Sequence, residues 1–308
     1  MSSPSPPSAF RKSPSIPKRL RRLVITGSLF YLLVLIMIAL LQRKLIYHPD
    51  RVAELDLPVG EARAVQTTTH DGIVLNGWHW SSPTRATQAT ARRTVLFFSG
   101  NAGNRSHRIP ICRLLTALEC DVLIFDYRGY AENTGAPSEE GLASDARAVW
   151  EYATQQAKLP AETLLLYGES LGGGVATRLA AEVCETETPP AGLVLRSTFS
   201  SMIDAASYHY PWLPVSWLLV DRFPSVSRIS NVTCPCLMLH GTRDRIVPLK
   251  LGRRLFAALP AQSRSGVKRR FVELPSAGHN DVLATSEPQV RSALNDLMET
   301  ISGGVQKR

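Results

Sequence analysis

A serine flanked by glycines is the residue in this sequence best suited to chemistry. It is Ser170, in the run Gly168-Glu169-Ser170-Leu171-Gly172, and it separates a short apolar stretch from residues whose apolar side chains recur at helical spacing. This change of period predicts a buried strand, a sharp turn and a helix. A serine on such a turn has an exposed hydroxyl, with the positive end of the helix behind it. We therefore predict that Ser170 is a nucleophile; the alternative is an ordinary glycine-rich turn.

A serine hydroxyl becomes a useful nucleophile only when a base removes its proton and a carboxylate holds that base in place. Two later residues suit these roles. Asp244 follows the apolar run at residues 236–240, and His279 follows the last strand-like run, at residues 271–274. Because the carboxyl ends of parallel strands meet at one edge of a sheet, we expect both to lie near Ser170. His279 would then act as base and afterwards as acid, and Asp244 would orient it.

Other carboxylates and histidines compete for these roles. Asp221 and Asp281 are alternatives to Asp244, although Asp281 is disfavoured because it lies beside the histidine in sequence. Asp244 could also be an ordinary turn residue, and His279 a plain loop histidine. His240 is interpreted as structural. His209 is interpreted as part of the segment 199–231. The remaining histidines precede the serine in the chain: His48, His70, His79 and His107.

Acyl transfer through a serine also needs two backbone N–H groups aimed at the oxyanion of the intermediate. The N–H of Leu171, at the predicted helix start, is the first. A glycine-rich loop at residues 99–104 follows another strand-like run, and we place the second donor there, at Asn101. This loop lacks the Gly-Lys-Ser/Thr ending of a phosphate-binding loop. No cluster of His, Cys and carboxylate residues indicates a metal, and no cofactor is expected.

The elements that must position these residues alternate between strand and helix. Repeated units of this length predict an α/β protein with a mostly parallel sheet and helices on both faces. The predicted strands cover residues 64–69, 73–80, 94–99, 121–126, 164–167, 192–197, 236–240 and 271–274. The predicted helices cover about 105–118, 139–157, the stretch after Ser170 and about 287–301.

One segment, residues 199–231, interrupts this alternation where a short connection would suffice. Two interpretations are open: a packed surface excursion, or an insertion that builds an apolar substrate pocket above the carboxyl ends of the strands. Its aromatic residues are Tyr208, Tyr210, Trp212, Trp217 and Phe223.

The formal charge of +9 is concentrated at the N-terminus. Eight basic residues and no acidic ones precede residue 45, and the remaining basic residues outnumber the acidic ones by only one. No basic patch interleaved with aromatic residues recurs, so nucleic acid is not an expected partner. The five cysteines show neither a metal-binding spacing nor an even set for disulfides, and we interpret them as structural thiols.

Residues 23–41 form an uncharged apolar run of 19 residues. At about 1.5 Å per residue it spans roughly 28 Å, so it is predicted to be a transmembrane helix. A cleaved signal peptide is one alternative, although no small-residue cleavage site follows, and a twin-arginine export signal is another. The basic N-terminal segment, residues 1–22, is expected to be disordered and cytoplasmic. The rest of the chain would then be extracytoplasmic: periplasmic in a bacterium, luminal or extracellular in a eukaryote.

The order Ser170, Asp244, His279, taken with several short motifs, resembles the α/β-hydrolase superfamily. Within it the chain is similar to membrane-anchored α/β-hydrolase-domain serine hydrolases, a group that also resembles lysophospholipases and protein depalmitoylases. The resemblance covers about residues 43–297 and implies an α/β-hydrolase fold in which the three residues form a catalytic triad. Besides the serine, aspartate and histidine loops, the motifs are Thr69-His70-Asp71-Gly72, Gly77-Trp78, Gly100-Asn101-Ala102-Gly103-Asn104, Phe125-Asp126-Tyr127-Arg128-Gly129-Tyr130, Pro137-Ser138-Glu139, Gly141-Leu142 and Asp145-Ala146.

The chain departs from that family in two loops. Ser99 stands where the family usually has His, and Ala131 and Asn133 stand in the motif that usually reads Arg-Gly-Tyr-Gly-x-Ser. Neither change affects a triad residue or a backbone donor. Similar cytoplasmic depalmitoylases carry an N-terminal cysteine cluster for lipid attachment, whereas the first cysteine here is Cys112, which argues against that role.

These expectations describe a transmembrane helix at 23–41, a linker at 42–63 and an α/β-hydrolase domain at 64–308 with the aromatic insertion 199–231. The predicted function is that of a membrane-anchored serine hydrolase. Its substrate would be a small-molecule or lipid ester or thioester with an acyl chain, cleaved through an acyl-Ser170 intermediate. The alternatives are an amide or peptide hydrolase of the same fold, and a non-catalytic membrane-anchored interaction protein.

Overall fold

The computed structural model describes residues 17–83 and 92–305, the last three by their backbone only. Disorder was predicted for residues 1–22; residues 1–16 lie outside these ranges, whereas residues 18–22 are helical, so the prediction was wrong for that part of the segment. The chain separates into two compact units, one ending at Leu41 and the other beginning at Gln42.

A long helix, α1 (Lys18–Ile46), contains the apolar run of the first unit and continues for five residues beyond it. Among the described residues it is the one helix that is long and apolar enough to cross a membrane. Its last turn carries Arg43 and Lys44, where positive charge interacts favourably with the unpaired carbonyl groups of a helix end. The start of the expected linker is therefore helical.

An eight-stranded sheet forms the centre of the second unit. The strands of the described residues are β1 (His48–Pro49), β2 (Ala62–Thr68), β3 (Val74–Trp80), β4 (Thr94–Phe98), β5 (Ala102–Gly103), β6 (Asp121–Phe125), β7 (Leu164–Glu169), β8 (Gly192–Arg196), β9 (Cys236–Gly241) and β10 (Arg270–Leu274). The sheet order is β10-β9-β8-β7-β4-β6-β3-β2, and β1 pairs separately with β5. All neighbouring pairs of the large sheet are parallel except the two that involve β3.

Helices follow most of the parallel strands. They are α2 (Ile109–Ala117), α3 (Glu139–Glu151), α4 (Leu171–Val183), α5 (Met202–His209), α6 (Val215–Leu218), α7 (Ser225–Arg228), α8 (Leu249–Ala257) and α9 (Val282–Val305). The predicted helix 139–157 ends earlier, because Tyr152–Gln156 form a π-helical turn. The last helix begins five residues earlier than predicted and bends at Ser286, which has a non-helical φ of −141° two residues before Pro288.

Alternate side chains of the strands enter two separate apolar cores. Leu96, Leu166 and Leu195 pack in a core that includes residues of α3 and α4. Their neighbours in sequence point the other way, into a core that includes residues of α2 and α9. Because a strand side chain changes face at every residue, runs that are apolar throughout can fill both sides of a sheet. The predicted α/β class, with a mostly parallel sheet and helices on both faces, is confirmed.

All five cysteines are buried with free thiols. Burial raises the pKa of Cys120 and of Cys236 to about 12. A buried thiol of this kind is protonated and unreactive at neutral pH. This environment agrees with the interpretation of these two residues as structural.

The loop after β6 contains two of the departures from the family pattern. Ala131 has a φ of +47°, a left-handed conformation that glycine adopts without steric cost. Asn133 is buried; its amide nitrogen donates to the carbonyl oxygen of Asp126 at 2.7 Å and its side-chain oxygen accepts from the N–H of Asn76 at 3.0 Å. Asn133 thus ties this loop to β3 and to the end of β6.

Candidate active site

Ser170 lies alone between the end of β7 and the start of α4. Its φ of 51° and ψ of −116° are strained for a residue with a side chain, at a cost of about 1–3 kcal/mol. Two hydrogen bonds hold this conformation. The N–H of Ser170 donates to the carbonyl oxygen of Arg196 at 2.9 Å, and its own carbonyl oxygen accepts from the hydroxyl of Thr198 at 2.7 Å. The adjacent strand β8 therefore braces the turn.

The two glycines of the serine motif are required by close backbone contacts. A Cβ on Gly168 would lie 2.5 Å from the carbonyl oxygen of Gly172. A Cβ on Gly172 would collide with the carbonyl oxygen of Phe98, at the end of β4. Strand, turn and helix can approach this closely only without side chains at these positions.

The structure brings His279 and Asp244 to Ser170. The Nε2 atom of His279 lies 2.9 Å from the Oγ of Ser170, and its Nδ1 lies 2.7 Å from the Oδ2 of Asp244. The side chain of Asp244 is fully buried, and its Oδ1 accepts the N–H groups of Ile246 and Val247 at 2.9 and 2.8 Å. This network assigns the Nδ1 proton to the bond with Asp244 and leaves Nε2 able to accept the serine proton.

The two alternative carboxylates lie elsewhere. Asp221 accepts hydrogen bonds from the Nε of Arg43 at 3.1 Å and from the hydroxyl of Tyr47 at 3.0 Å. Asp281 accepts the N–H of Gly278 at 2.6 Å, as a turn residue just before α9. Neither aspartate is the carboxylate in contact with His279, which is Asp244.

The two expected oxyanion donors belong to well-fixed backbone. Leu171 is the first residue of α4. Asn101 is held by its carbonyl oxygen, which accepts from the N–H of His48 at 2.9 Å and the hydroxyl of Tyr130 at 2.8 Å. Within the described part of the chain, neither Leu171 nor Asn101 has a protein acceptor for its N–H. Their role at the oxyanion remains a prediction.

Comparisons with known proteins bear on this arrangement. A family model described as the α/β-hydrolase fold matches residues 93–223, which include Ser170. An uncharacterised protein of Mycobacterium tuberculosis (strain H37Rv) is 43% identical over 244 residues, an alignment that covers 78% of this chain and 81% of that protein. The chain belongs to the α/β-hydrolase family.

Other relatives of this hydrolase have named activities. The lysophosphatidylserine lipase ABHD12 of Danio rerio is 35% identical over 222 residues, but the alignment covers only 57% of that protein and 66% of this chain. The Mus musculus lipase of the same name is 28% identical over 321 residues, covering 91% of this chain and 80% of that protein. An esterase of Pyrococcus furiosus shares the fold with a TM-score of 0.62 and 19% identity; the match covers 83% of this chain and 98% of the esterase.

An ion-pair cluster that was not predicted from the sequence lies beside the serine of this hydrolase. The carboxylate of Glu169 bonds to the guanidinium groups of Arg196 and of Arg108, the latter at 3.0 Å. Burial alone would raise the pKa of Glu169, but the two arginines hold the pKa below its usual range. This cluster ties β7 to β8 and to the segment before α2, so its members are positioning residues. An acidic residue at the end of a buried strand is the sequence pattern that could have indicated it.

His240 also supports the candidate site of this hydrolase, through contacts with the loop that carries Asp244. Its side chain is buried, its Nε2 donates to the carbonyl oxygen of Val247 at 2.8 Å, and the same atom lies 3.5 Å from the Oδ2 of Asp244. Burial lowers the pKa of His240, so the ring is neutral in the folded protein. His240 therefore positions the loop that carries Asp244.

We expect His240 to make the hydrolase less stable as the pH falls. Below about pH 6.5 the unfolded chain binds a proton at this histidine, whereas the folded protein, with its lowered pKa, binds that proton only at a lower pH. The free energy of unfolding of the wild type should therefore fall more steeply between pH 7 and pH 5 than that of His240→Gln, by up to about 1.4 kcal/mol per pH unit. Denaturant unfolding in detergent at several pH values measures this difference. His70→Gln, the same substitution at an exposed position, is the control for the replacement itself. If the free energy of unfolding changes with pH in the same way for His240→Gln and the wild type, the expectation is contradicted.

Proposed function

We propose that this chain is a serine hydrolase that cleaves carboxylic esters through an acyl-Ser170 intermediate. The observation that carries the proposal is the continuous hydrogen-bonded path from the Oγ of Ser170 through His279 to the buried Asp244. A strained serine at a strand-to-helix turn, a base within proton-transfer reach and a carboxylate behind it are the parts that acyl transfer needs.

The reaction follows from these contacts. His279 takes the hydroxyl proton at Nε2 as the Oγ of Ser170 attacks the acyl carbon. The N–H groups of Leu171 and Asn101 donate to the oxygen that becomes negative, and Asp244 stabilises the positive imidazole. His279 then gives its proton to the leaving alcohol. Water repeats the sequence with His279 again as base, which releases the acid and restores Ser170.

We propose that the ester carries an acyl chain and is a lysophospholipid or a related lipid ester. The support comes from relatives named as lysophosphatidylserine lipases, one of them aligned over 91% of this chain, and from the apolar helix α1. A thioester of the same acyl chain would follow the same route, because the attack and both proton transfers are unchanged. An amide is a poorer candidate, since its leaving group needs stronger protonation than an alcohol does.

A panel of p-nitrophenyl esters tests the preference for acyl chains. Each methylene that enters an apolar site contributes about 0.8 kcal/mol, so kcat/KM should rise about tenfold or more from the butyrate to the octanoate. Ser170→Ala supplies the background rate for each ester. A maximum at the acetate, with a steady fall for longer chains, would argue against a lipid substrate. Hydrolysis of p-nitroanilides in preference to the esters would favour the amide alternative.

We also propose that α1 anchors the hydrolase in a membrane with its N-terminus in the cytoplasm. The basic residues at the N-terminal end of α1 outnumber those in its last turn, and the side richer in Lys and Arg stays in the cytoplasm. The hydrolase domain would then be extracytoplasmic. Protease added to intact spheroplasts or sealed vesicles of known orientation should digest the domain, and its protection would reverse the assignment.

A further inference from the structure

The segment from the end of α5 to two residues beyond α6 exposes an unusual amount of aromatic surface. We call residues 208–220 the aromatic surface. Single exposed apolar residues are ordinary, but several large ones in one short segment indicate contact with something other than water. The exposed fractions are 48% for Tyr208, 52% for Tyr210, 58% for Trp212, 89% for Trp217 and 63% for Val220.

The aromatic surface is fastened to the residues that follow the apolar run of α1 in the chain. The side chain of Gln42 donates to the carbonyl oxygen of Leu218 at 3.2 Å and accepts the N–H of Val220 at 2.7 Å. Arg43 pairs with Asp221 at 3.1 Å. Gln42 is covalently bonded to the last residue of the predicted membrane-spanning run. The surface is therefore held at the first residues of the chain that would leave the hydrocarbon.

Basic side chains border the aromatic surface. The ammonium group of Lys250 lies 4.2 Å from the ring centroid of Tyr208. The guanidinium of Arg222 donates to the carbonyl oxygens of Leu219 and Ser216, at 3.1 and 3.0 Å. Membrane proteins place tryptophan and tyrosine, together with lysine and arginine, at the level of the lipid headgroups.

The aromatic surface also lies beside the triad. The ring of His209 bonds through Nε2 to the carbonyl oxygen of Ile246 at 2.8 Å. The N–H of the same Ile246 donates to the carboxylate of Asp244 at 2.9 Å. One residue thus connects the aromatic surface to the carboxylate that orients His279, and Ile246 is itself half exposed.

We propose that the aromatic surface lies in the headgroup region of the bilayer that holds α1, so that an acyl substrate reaches Ser170 from the membrane. The occupant is a lipid bilayer with anionic headgroups, which match the bordering arginine and lysine. This inference rests on the proposed membrane anchoring and deepens the proposed function by naming the side from which the substrate enters. A second copy of the chain on this surface is the competing occupant.

The distribution of tryptophans makes the proposal directly measurable. The chain has five tryptophans, none of them in α1. Trp78 and Trp80 are each 1% exposed, and Trp150 packs against the core, so Trp212 and Trp217 are the ones a lipid can reach. Full-length protein in vesicles of brominated phosphatidylcholine with phosphatidylglycerol should show quenched tryptophan fluorescence, and Trp217→Phe should remove about half or more of the quenching.

Several results would overturn the proposal. One is wild-type fluorescence that is the same in brominated and unbrominated vesicles, and another is quenching that Trp217→Phe leaves unchanged. Fluorescence that depends on the protein-to-lipid ratio but not on bromine would assign the surface to a second copy. Vesicle flotation of the same samples reports anchoring by α1 separately, and hydrolysis of a soluble short ester reports the proposed activity. A result that rules out membrane contact at the aromatic surface is therefore distinguishable from a result that rules out the proposed function.

An activity comparison provides the second measurement. Trp217→Asp should slow the hydrolysis of a lysophospholipid embedded in vesicles about fivefold or more, because a charge in the interface region opposes insertion. Its rate on a soluble short ester should stay within about twofold of wild type. The same ratio of variant rate to wild-type rate on both substrates would contradict the proposal.

Val59→Asp is the matched control for that comparison. Val59 is as exposed as Trp217, at 90%, and precedes β2. The first residue of β2 pairs with Trp80, which pairs in turn with Val122 near the start of β6, so this position lies at the sheet edge opposite the triad. Val59→Asp should behave as the wild type on both substrates.

Discussion

Replacing Ser170 with alanine is expected to lower kcat on a soluble ester by about 10⁴- to 10⁶-fold. In the part of the chain that the structure describes, the hydroxyl that bonds to the base His279 is that of Ser170. Without it, substrate binding and the oxyanion donors are what remains to accelerate the reaction. A fluorophosphonate probe, which reacts with an activated serine, should label the wild type and leave Ser170→Ala unlabelled. Activity on p-nitrophenyl butyrate and gel fluorescence of the probe measure both effects.

Ser197 offers a matched control for that experiment. It is buried, follows the neighbouring strand β8, and has the same left-handed φ of 51° as Ser170. Ser197→Ala therefore introduces the same kind of substitution into the same kind of backbone, and it should retain both labelling and activity. An unlabelled wild type would support the non-catalytic interaction protein instead. Labelling that persists in Ser170→Ala would assign the nucleophile to another residue.

Asp244→Asn should lower kcat by about 10⁴-fold while leaving the fold intact. The carboxylate accepts the Nδ1 proton of His279, whereas an amide can present its NH₂ group there and favour the tautomer that cannot take the serine proton. The loss of charge also removes the stabilisation of the positive imidazole in the transition state. Steady-state kinetics on a soluble ester, with circular dichroism to verify folding, measure the effect.

Asp221→Asn is the control, because Asp221 is the other buried aspartate considered for this role. It bonds to Arg43 and Tyr47, so its replacement should lower stability while the rate of the folded enzyme on a soluble ester stays within a fewfold of wild type. A large loss of kcat in Asp221→Asn with little loss in Asp244→Asn would reverse the assignment of the carboxylate.

The serine turn could be predicted from the sequence because its causes are local. Glycines on both sides of Ser170 and a change from strand to helical periodicity are properties of about a dozen consecutive residues. These local properties determine the path of the backbone, since a Cβ at Gly168 or Gly172 would collide with nearby carbonyl oxygens. The α/β class was predictable for a similar reason: strand and helix alternate along the chain, and parallel strands require crossovers.

The meeting of Ser170 with His279 could be inferred only from order. The two are 109 positions apart, and the inference relied on the rule that loops after parallel strands collect at one edge. The choice between Asp244 and Asp221 depended on the path of the segment between β8 and β9, which propensity does not specify. Once that path is known, Asp221 is seen to pair with Arg43, and only Asp244 faces the imidazole.

Other features depend on tertiary packing alone. Arg108 and Arg196 meet Glu169 because three separate elements converge beneath the serine, and His240 supports the Asp244 loop because β9 and that loop fold onto each other. The exposure of Trp217 could not be predicted from the sequence either, because an aromatic residue is compatible with a core or with a surface.

The apolar run of α1, the serine turn, the α/β class and the chain order of the three candidate triad residues are all readable in the amino-acid sequence. Which carboxylate contacts His279, which charges brace the turn and which aromatic residues face outward depend on how the chain packs in three dimensions. The physical reason is range. Backbone preferences and periodicity act over a few residues, whereas a hydrogen bond, an ion pair or burial depends on distances between atoms that only the complete packing of the chain defines.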